Sequence, residues 1–215
     1  MALPADGLRL RAAACFWVAC LQFFILEAVS TLGFVGHYSY RTNYISDLGG
    51  VHCGPVCSHW HALMNTSFVL QGLCITGGAL LLPRRIAGDI PGLLARIFLL
   101  VAAYGVILVG LTPEDTNHRV HIHGALFNFV GSSAGLLLLG VAFLRLGAPL
   151  KRLAAITLAA GAVSLFGDLF FVFPSAHLNA VVGAGLLERI AAYPLPLCLP
   201  WIGFVLLRSR AASAQ

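Results

Sequence analysis

Six apolar stretches alternate with short polar segments along the chain. They run near 12–35, 62–82, 93–112, 122–145, 152–173 and 184–207, and are built of Leu, Val, Ala, Phe, Ile and Gly with few charges. A helix rising ~1.5 Å per residue needs about 20 apolar residues to cross ~30 Å of hydrocarbon. The pattern therefore predicts six transmembrane helices. The breaks carry turn chemistry: "PRRIAGDIPG" (83–92) and "GAPLKR" (147–152) join Pro or Gly to charge, and "TPEDTNHRVH" (112–121) is polar throughout. The first run follows Arg9 and Arg11 and so invites a signal-peptide reading. Its length favours a retained helix instead.

Composition sharpens the class. Of 215 residues, 59% are hydrophobic and 10% charged, against about 25% charged in soluble domains. The expectation is an all-α integral membrane protein, a bundle of six transmembrane helices forming a single membrane domain over 1–215. The formal charge of +5 comes without a basic stripe, so no nucleic-acid partner is expected; the partners are the lipid bilayer and a lipid-like substrate. Arginine far outnumbers lysine and Ala, Gly and Leu are abundant, which suggests a bacterial source and the inner membrane.

Charge also predicts orientation. Arg9, Arg11, Arg84, Arg85, Arg96, Arg145, Lys151, Arg152, Arg208 and Arg210 fall on one side of the six spans, whereas Arg41, Arg119 and Arg189 fall on the other. The positive-inside rule then places the N and C termini in the cytoplasm and the segments 36–61, 113–121 and 174–183 outside. Only Asp6 and Asp89 accompany the cytoplasmic cations. Glu27, Asp47, Glu114, Asp115, Asp168, Glu188 and all eight histidines gather toward the opposite side. A polar crown on the extracytoplasmic side is the main functional clue in the chain.

Several residues of that crown are candidates for chemistry. Glu27, Asn65, Asn128, Asp168 and Glu188 lie within or at the edge of spans, where polar groups usually face the bundle interior and find partners. Asp168, set among apolar residues in "LFGDLFFVF", needs a partner from another helix: His121, His123, His177 or Arg189. It is either one half of a structural polar pair or part of a functional site. His121 and Asn128 are seven apart and His61 and Asn65 four apart, so each pair shares a helix face. Imidazoles and carboxylates at a wet mouth suit general acid–base work or a metal. The catalytic candidates are Asp47, Asp168, Glu188 and His121. Asn65, Asn128, Glu27 and Arg189 are binding candidates. His61, His123 and His177 are candidate ligands for zinc or another divalent metal. Each histidine has a plainer reading as an interfacial residue bonded to a loop. "HCGPVCSHWH" (52–61) leaves three possibilities for Cys53 and Cys57: a disulfide, a pair of metal ligands, or free thiols. Glu188 and Arg189 are adjacent, so they point from different helix faces and need separate partners. Ser46 and Asp47 in "YISDLG" also read as a turn.

"YISDLG", "HWHALMNTSFVLQG", "TPEDTNHRVHIHGALFNFVG" and "GLLERIAAYP" with Trp201 following resemble the bacterial and archaeal membrane family called domain of unknown function 998, over roughly residues 12–207. That family is similar in layout to the FRAG1/DRAM/Sfk1 group, whose members are tied to lipid remodelling and autophagy. The resemblance implies six helices and a shared outer cluster at Asp47, Asn65, His121 or His123, and Glu188; it implies no reaction. Three functions stand open. The first is a membrane-embedded enzyme, metal-assisted or not, acting on a lipid or isoprenoid headgroup. The second is a non-catalytic structural or interaction protein, and the third a small transporter or metal-handling protein. Transport fits least, because the inner halves of the spans show no polar track.

Overall fold

The computed structural model describes residues 5–54 and 56–211. The side chains of Asp6 and Arg210, both counted in the charge asymmetry, lie outside the described set. The helices are α1 (Ala5–Ala19), α2 (Gln22–Ser30), α3 (His61–Leu81), α4 (Arg84–Ala87), α5 (Ile90–Leu111), α6 (His118–Arg145), α7 (Lys151–Val172), α8 (Ala176–Val181), α9 (Ala184–Ala192) and α10 (Pro194–Ala211). Six units are long and apolar enough to cross a membrane: Gly7–Gly33, His61–Leu81, Ile90–Leu111, His118–Arg145, Lys151–Val172 and Ala184–Arg208. The protein is a multi-pass membrane helical bundle, as the apolar pattern predicts.

Two of the six are broken. Between α1 and α2 the backbone tightens into i→i+3 bonds, Cys20 N–H to Trp17 O (3.1 Å) and Leu21 N–H to Val18 O (3.1 Å). Just past this break the Gln22 amide reaches across to α3. It donates to the Ser67 carbonyl (3.1 Å) and accepts from the Ser67 hydroxyl (3.2 Å). The last span breaks at Tyr193, because Pro194 lacks the N–H that would continue the α9 ladder.

The most extensive helix packing among the described residues joins α5 to α6. A Cβ at Gly105 would collide with the Asn128 N and the Gly124 carbonyl, so the two backbones approach as closely as the absence of side chains permits. The Asn128 amide crosses the same contact and donates to the Ala102 carbonyl at 3.1 Å. Trp17, Leu99, Leu136, Phe143, Leu199 and Ile202 fill the interior, while Leu80, Ile97, Tyr104 and Phe166 stand exposed on the outside. An apolar exterior is what a lipid solvent selects. At one end the start of α1 and the end of α10 lie with the short turns. Asp89 caps α5 by accepting from Gly92 N–H (2.9 Å) and pairs with Arg145 at 3.2 Å. At the other end lie the long segment 34–60, the turn 112–117 and α8. The base of the long segment is closed by Val35 N–H to Cys57 O and His59 N–H to Gly33 O, both 2.8 Å.

Candidate functional site

The loop-rich end is organised around one buried ion pair. Arg189 of α9 and Glu27 of α2 are each 3% exposed at the side chain and meet at 3.0 Å. All five guanidinium N–H groups have acceptors. Nε donates to the Tyr193 hydroxyl (2.9 Å), and Nη1 to the carbonyls of Tyr40 (3.0 Å), Asn43 (2.9 Å) and Gly185 (2.9 Å). Nη2 donates to Glu27 and to the Tyr38 hydroxyl. The Tyr193 hydroxyl in turn lies 2.8 Å from both Glu27 oxygens. The rings of Tyr38, Tyr40 and Tyr193 surround the cation, with the Tyr40 centroid 4.9 Å away. Two charges removed from water persist only when fully partnered in this way.

A second layer folds segment 38–50 over that pair. Arg41 grips the C-terminal end of α8, donating to the carbonyls of Val181 (2.8 Å), Val182 (3.2 Å) and Ala180 (3.4 Å). Asp47 accepts from the Asn43 amide (2.9 Å) and from Tyr44 N–H (3.0 Å), closing a turn on itself. Glu188 accepts from Ile45 N–H at 2.6 Å. Asn65 holds the Gly49 carbonyl (2.9 Å), and the Ser46 hydroxyl donates to Glu114 (2.6 Å). Asp115 accepts from His52 N–H. Burial pushes the Asp47 carboxyl above its ordinary range and Glu114 adds to this, against the pull of the Asn43 and Tyr44 donors. Burial pushes Tyr38 and Tyr44 up as well. Asp115 goes the other way: its slight burial is outweighed by backbone donors at His52 and Val51, and its carboxyl sits below the usual range.

Beneath this lid lies a small cavity of about 50 Å³. Its polar lining is His121, Glu188, Ser46, Asn128 and Gln71; the remaining wall is apolar, including Phe23, Phe68, Ile75 and Leu195. His121, 5% exposed, has Nδ1 2.9 Å from the Thr112 carbonyl. A carbonyl only accepts, so Nδ1 carries a proton, and in the neutral imidazole the lone pair is then on Nε2. Glu188 spends one oxygen on Ile45; the other accepts no hydrogen bond from the described residues. Glu188 also lines an adjoining groove with Tyr44, His118, Phe170, Phe171 and Asn179. Ser46 and Glu114 border an open depression on the loop face. Glu188 and Ser46 thus stand where the interior cavity meets the outer surfaces.

The predicted site residues divide accordingly. His121, Asn128 and Glu188 share the cavity; Glu27 and Arg189 form its neighbouring ion pair, and Asp47 and Asn65 hold the lid. Asp168 is a correction. None of His121, His123, His177 or Arg189 bonds its carboxyl; His121 is turned to Thr112, His123 Nδ1 to its own helix at Arg119 O (2.6 Å), and Arg189 to Glu27. Asp168 lies instead in an apolar groove between α6 and α7. His61, His123 and His177 are likewise not brought together, and among the described residues no three His, Cys, Asp or Glu side chains gather closely enough to hold a metal ion. The donor set does not fit one. Cys53 and Cys57 are joined in a disulfide. Sequence reasoning missed Gln71, Tyr38, Tyr193, Asn43 and the clamp at Arg41. Of these, only Tyr193 carried a signal, one turn beyond Arg189 on the same face.

A family model described as "protein of unknown function (DUF998)" matches residues 12–205. No curated protein and no solved structure matches the chain.

Proposed function

The chain belongs to that DUF998 family, and on this footing we propose a membrane-embedded enzyme that acts, without a metal, on the headgroup of an amphiphile. One observation carries the reading: an imidazole whose Nδ1 is taken up by the Thr112 carbonyl and a partly buried carboxyl line the same cavity, whose floor is apolar. The positive-inside asymmetry puts this cavity at the extracytoplasmic side. His121 Nε2 is the general base that takes a proton from water or from an acceptor hydroxyl, and Glu188 returns a proton to the leaving group. Thr112 fixes the imidazole tautomer, and Ile45 N–H fixes the carboxyl. Asn128 and Gln71 supply donors toward headgroup oxygens, and the apolar wall receives the first carbons of the chain. Asp47, Asn65 and the Arg189–Glu27 pair act as positioning residues.

The test is lipid mass spectrometry of membranes from a host expressing wild type, Glu188→Gln or His121→Asn. The Asn variant keeps an N–H for Thr112 and removes Nε2. A headgroup change present with wild type and absent with both variants, at equal protein abundance, is the expected result. Identical profiles for all three would sink the enzyme. A second reading, a non-catalytic structural or interaction protein, is favoured by the complete saturation of Arg189, which braces α2, α9 and segment 38–50. It predicts that neither cavity variant alters any lipid.

A further inference from the structure

Asp168 is left out of the crown, and its surroundings are unlike those of the other acids. It is 4% exposed, and neither carboxyl oxygen has a hydrogen-bond partner among the described residues. It lines a groove of about 370 Å³ between α6 and α7, walled by Val130, Ala134, Leu137, Leu165, Val172 and Phe173. The rim is exposed: Leu165 is 44% and Leu169 49% accessible. In a helix pair that spans the membrane, those side chains face lipid. The groove's other polar side chain is Ser133, whose hydroxyl reaches the Val130 carbonyl at 3.3 Å and is a neutral donor beside the carboxyl. The groove holds no cationic side chain. A carboxyl without a counter-charge in hydrocarbon is costly. What it lacks is a positively charged donor.

Position narrows the occupant further. Asp168 lies four residues before the end of α7, about 6 Å at the helical rise. The groove continues past it, away from the loop-rich end, along Leu137 and Leu165. A polar head at Asp168 with an alkyl chain along that path fits this layout. We infer that the α6–α7 groove is a second, lipid-facing site that binds the primary ammonium head of an amphiphile at Asp168 and Ser133. Rotation of the half-exposed Leu165, three residues away on the same face, opens the carboxyl to the head. The site is independent of the His121–Glu188 cavity, since no residue lines both.

The experiment uses the full chain in phosphatidylcholine nanodiscs, whose quaternary headgroups have no N–H. Dodecylamine is the probe and the thermal unfolding midpoint is the readout. The expected result is a saturable rise with dodecylamine and none with dodecyltrimethylammonium, which keeps the charge but has no donor. Asp168→Asn weakens the apparent affinity about tenfold or more, the scale of one lost charge-assisted bond. Ala134→Phe, which fills the groove and leaves the carboxyl intact, abolishes the response. Glu188→Gln leaves it unchanged, so failure of the enzyme reading and failure of this one are distinguishable. Phosphatidylethanolamine in the nanodisc either competes, which makes a bilayer aminolipid the source, or does not, which makes it a free long-chain amine; both support the site. Equal responses of wild type and Asp168→Asn, or of the two probes, overturn it. So does an amine-free dimer that Asp168→Asn dissociates, which would assign the groove to a second copy.

Discussion

Removing the Glu27 charge tests whether the loop-rich end rests on its buried ion pair. Glu27→Gln keeps an acceptor for Arg189 and Tyr193 but leaves the guanidinium, 3% exposed, without a counter-charge. Breaking a buried pair from one side costs about 3–5 kcal/mol, because an uncompensated charge stays behind. Gln still accepts one hydrogen bond and the guanidinium keeps three carbonyls, so the lower end, about 3 kcal/mol, is expected. Arg189→Met removes the charge but strips donors from those carbonyls and exposes Glu27 to the same penalty, for about 4 kcal/mol. The double variant has neither stray charge. Its cost should fall short of the sum of the singles by about 2 kcal/mol or more, the coupling expected of contacting charges. Equilibrium unfolding of the four proteins in mixed micelles, with the usual denaturant extrapolation, closes the cycle. Additivity within about 0.5 kcal/mol would refute the reasoning: Arg189 would then be held by its carbonyls and rings alone.

Arg41→Ala removes the three carbonyl bonds that tie α8 to the lid, so amide exchange over 176–182 should rise while exchange in α3 and α5 stays fixed; unchanged exchange in α8 contradicts the clamp. Asp47 and Asp115 should give pH dependences of opposite sign. Asp47 is raised by burial, so the stability it contributes is fully present at acid pH and is lost as pH rises through its folded pKa. Asp115 is lowered, so its contribution is present above the unfolded value and lost as pH falls through the folded one. Exchange of the 43–52 amides between about pH 2 and 7, corrected for intrinsic rates, should lose its Asp47 component in Asp47→Asn and keep the Asp115 component at the acid end. The positive-inside asymmetry predicts that segment 34–60 lies outside. A membrane-impermeant maleimide added to intact cells after mild reduction should label Cys53 and Cys57, and labelling only after lysis would reverse the orientation.

The fold was legible in the chain because lipid demands apolar runs about 20 residues long, and such runs have few other uses. The breaks inside spans were not all legible. Tyr193–Pro194 shows one, but nothing local marks the tightening at Cys20, which goes with Gln22 turning toward Ser67 on α3. α8 was read as part of a loop, although Ser175 stands at its start and accepts from Leu178 N–H, a cap visible in "PSAHL". The collection of polar groups at one end was readable from topology. Their pairing was not, since Arg189 and Glu27 are 162 positions apart and no spacing rule reaches that far. The neighbours of Asp168 were hidden for the same reason: its depth could be counted along α7, but the direction in which that helix turns it depends on how α6 and α7 pack. Adjacency did separate Glu188 from Arg189, and each does find its own partner, at Ile45 and Glu27.

The central claim is that the cavity under the 38–50 lid holds an amphiphile. Cryo-electron microscopy of the protein in nanodiscs made from its host's lipids tests it most directly. The account predicts elongated density with its polar end between His121 and Glu188 and its tail toward Ile75 and Leu195, absent in a variant whose cavity is filled by Ala125→Leu. A cavity holding only discrete waters, or closed by its own side chains in the wild type, would contradict it.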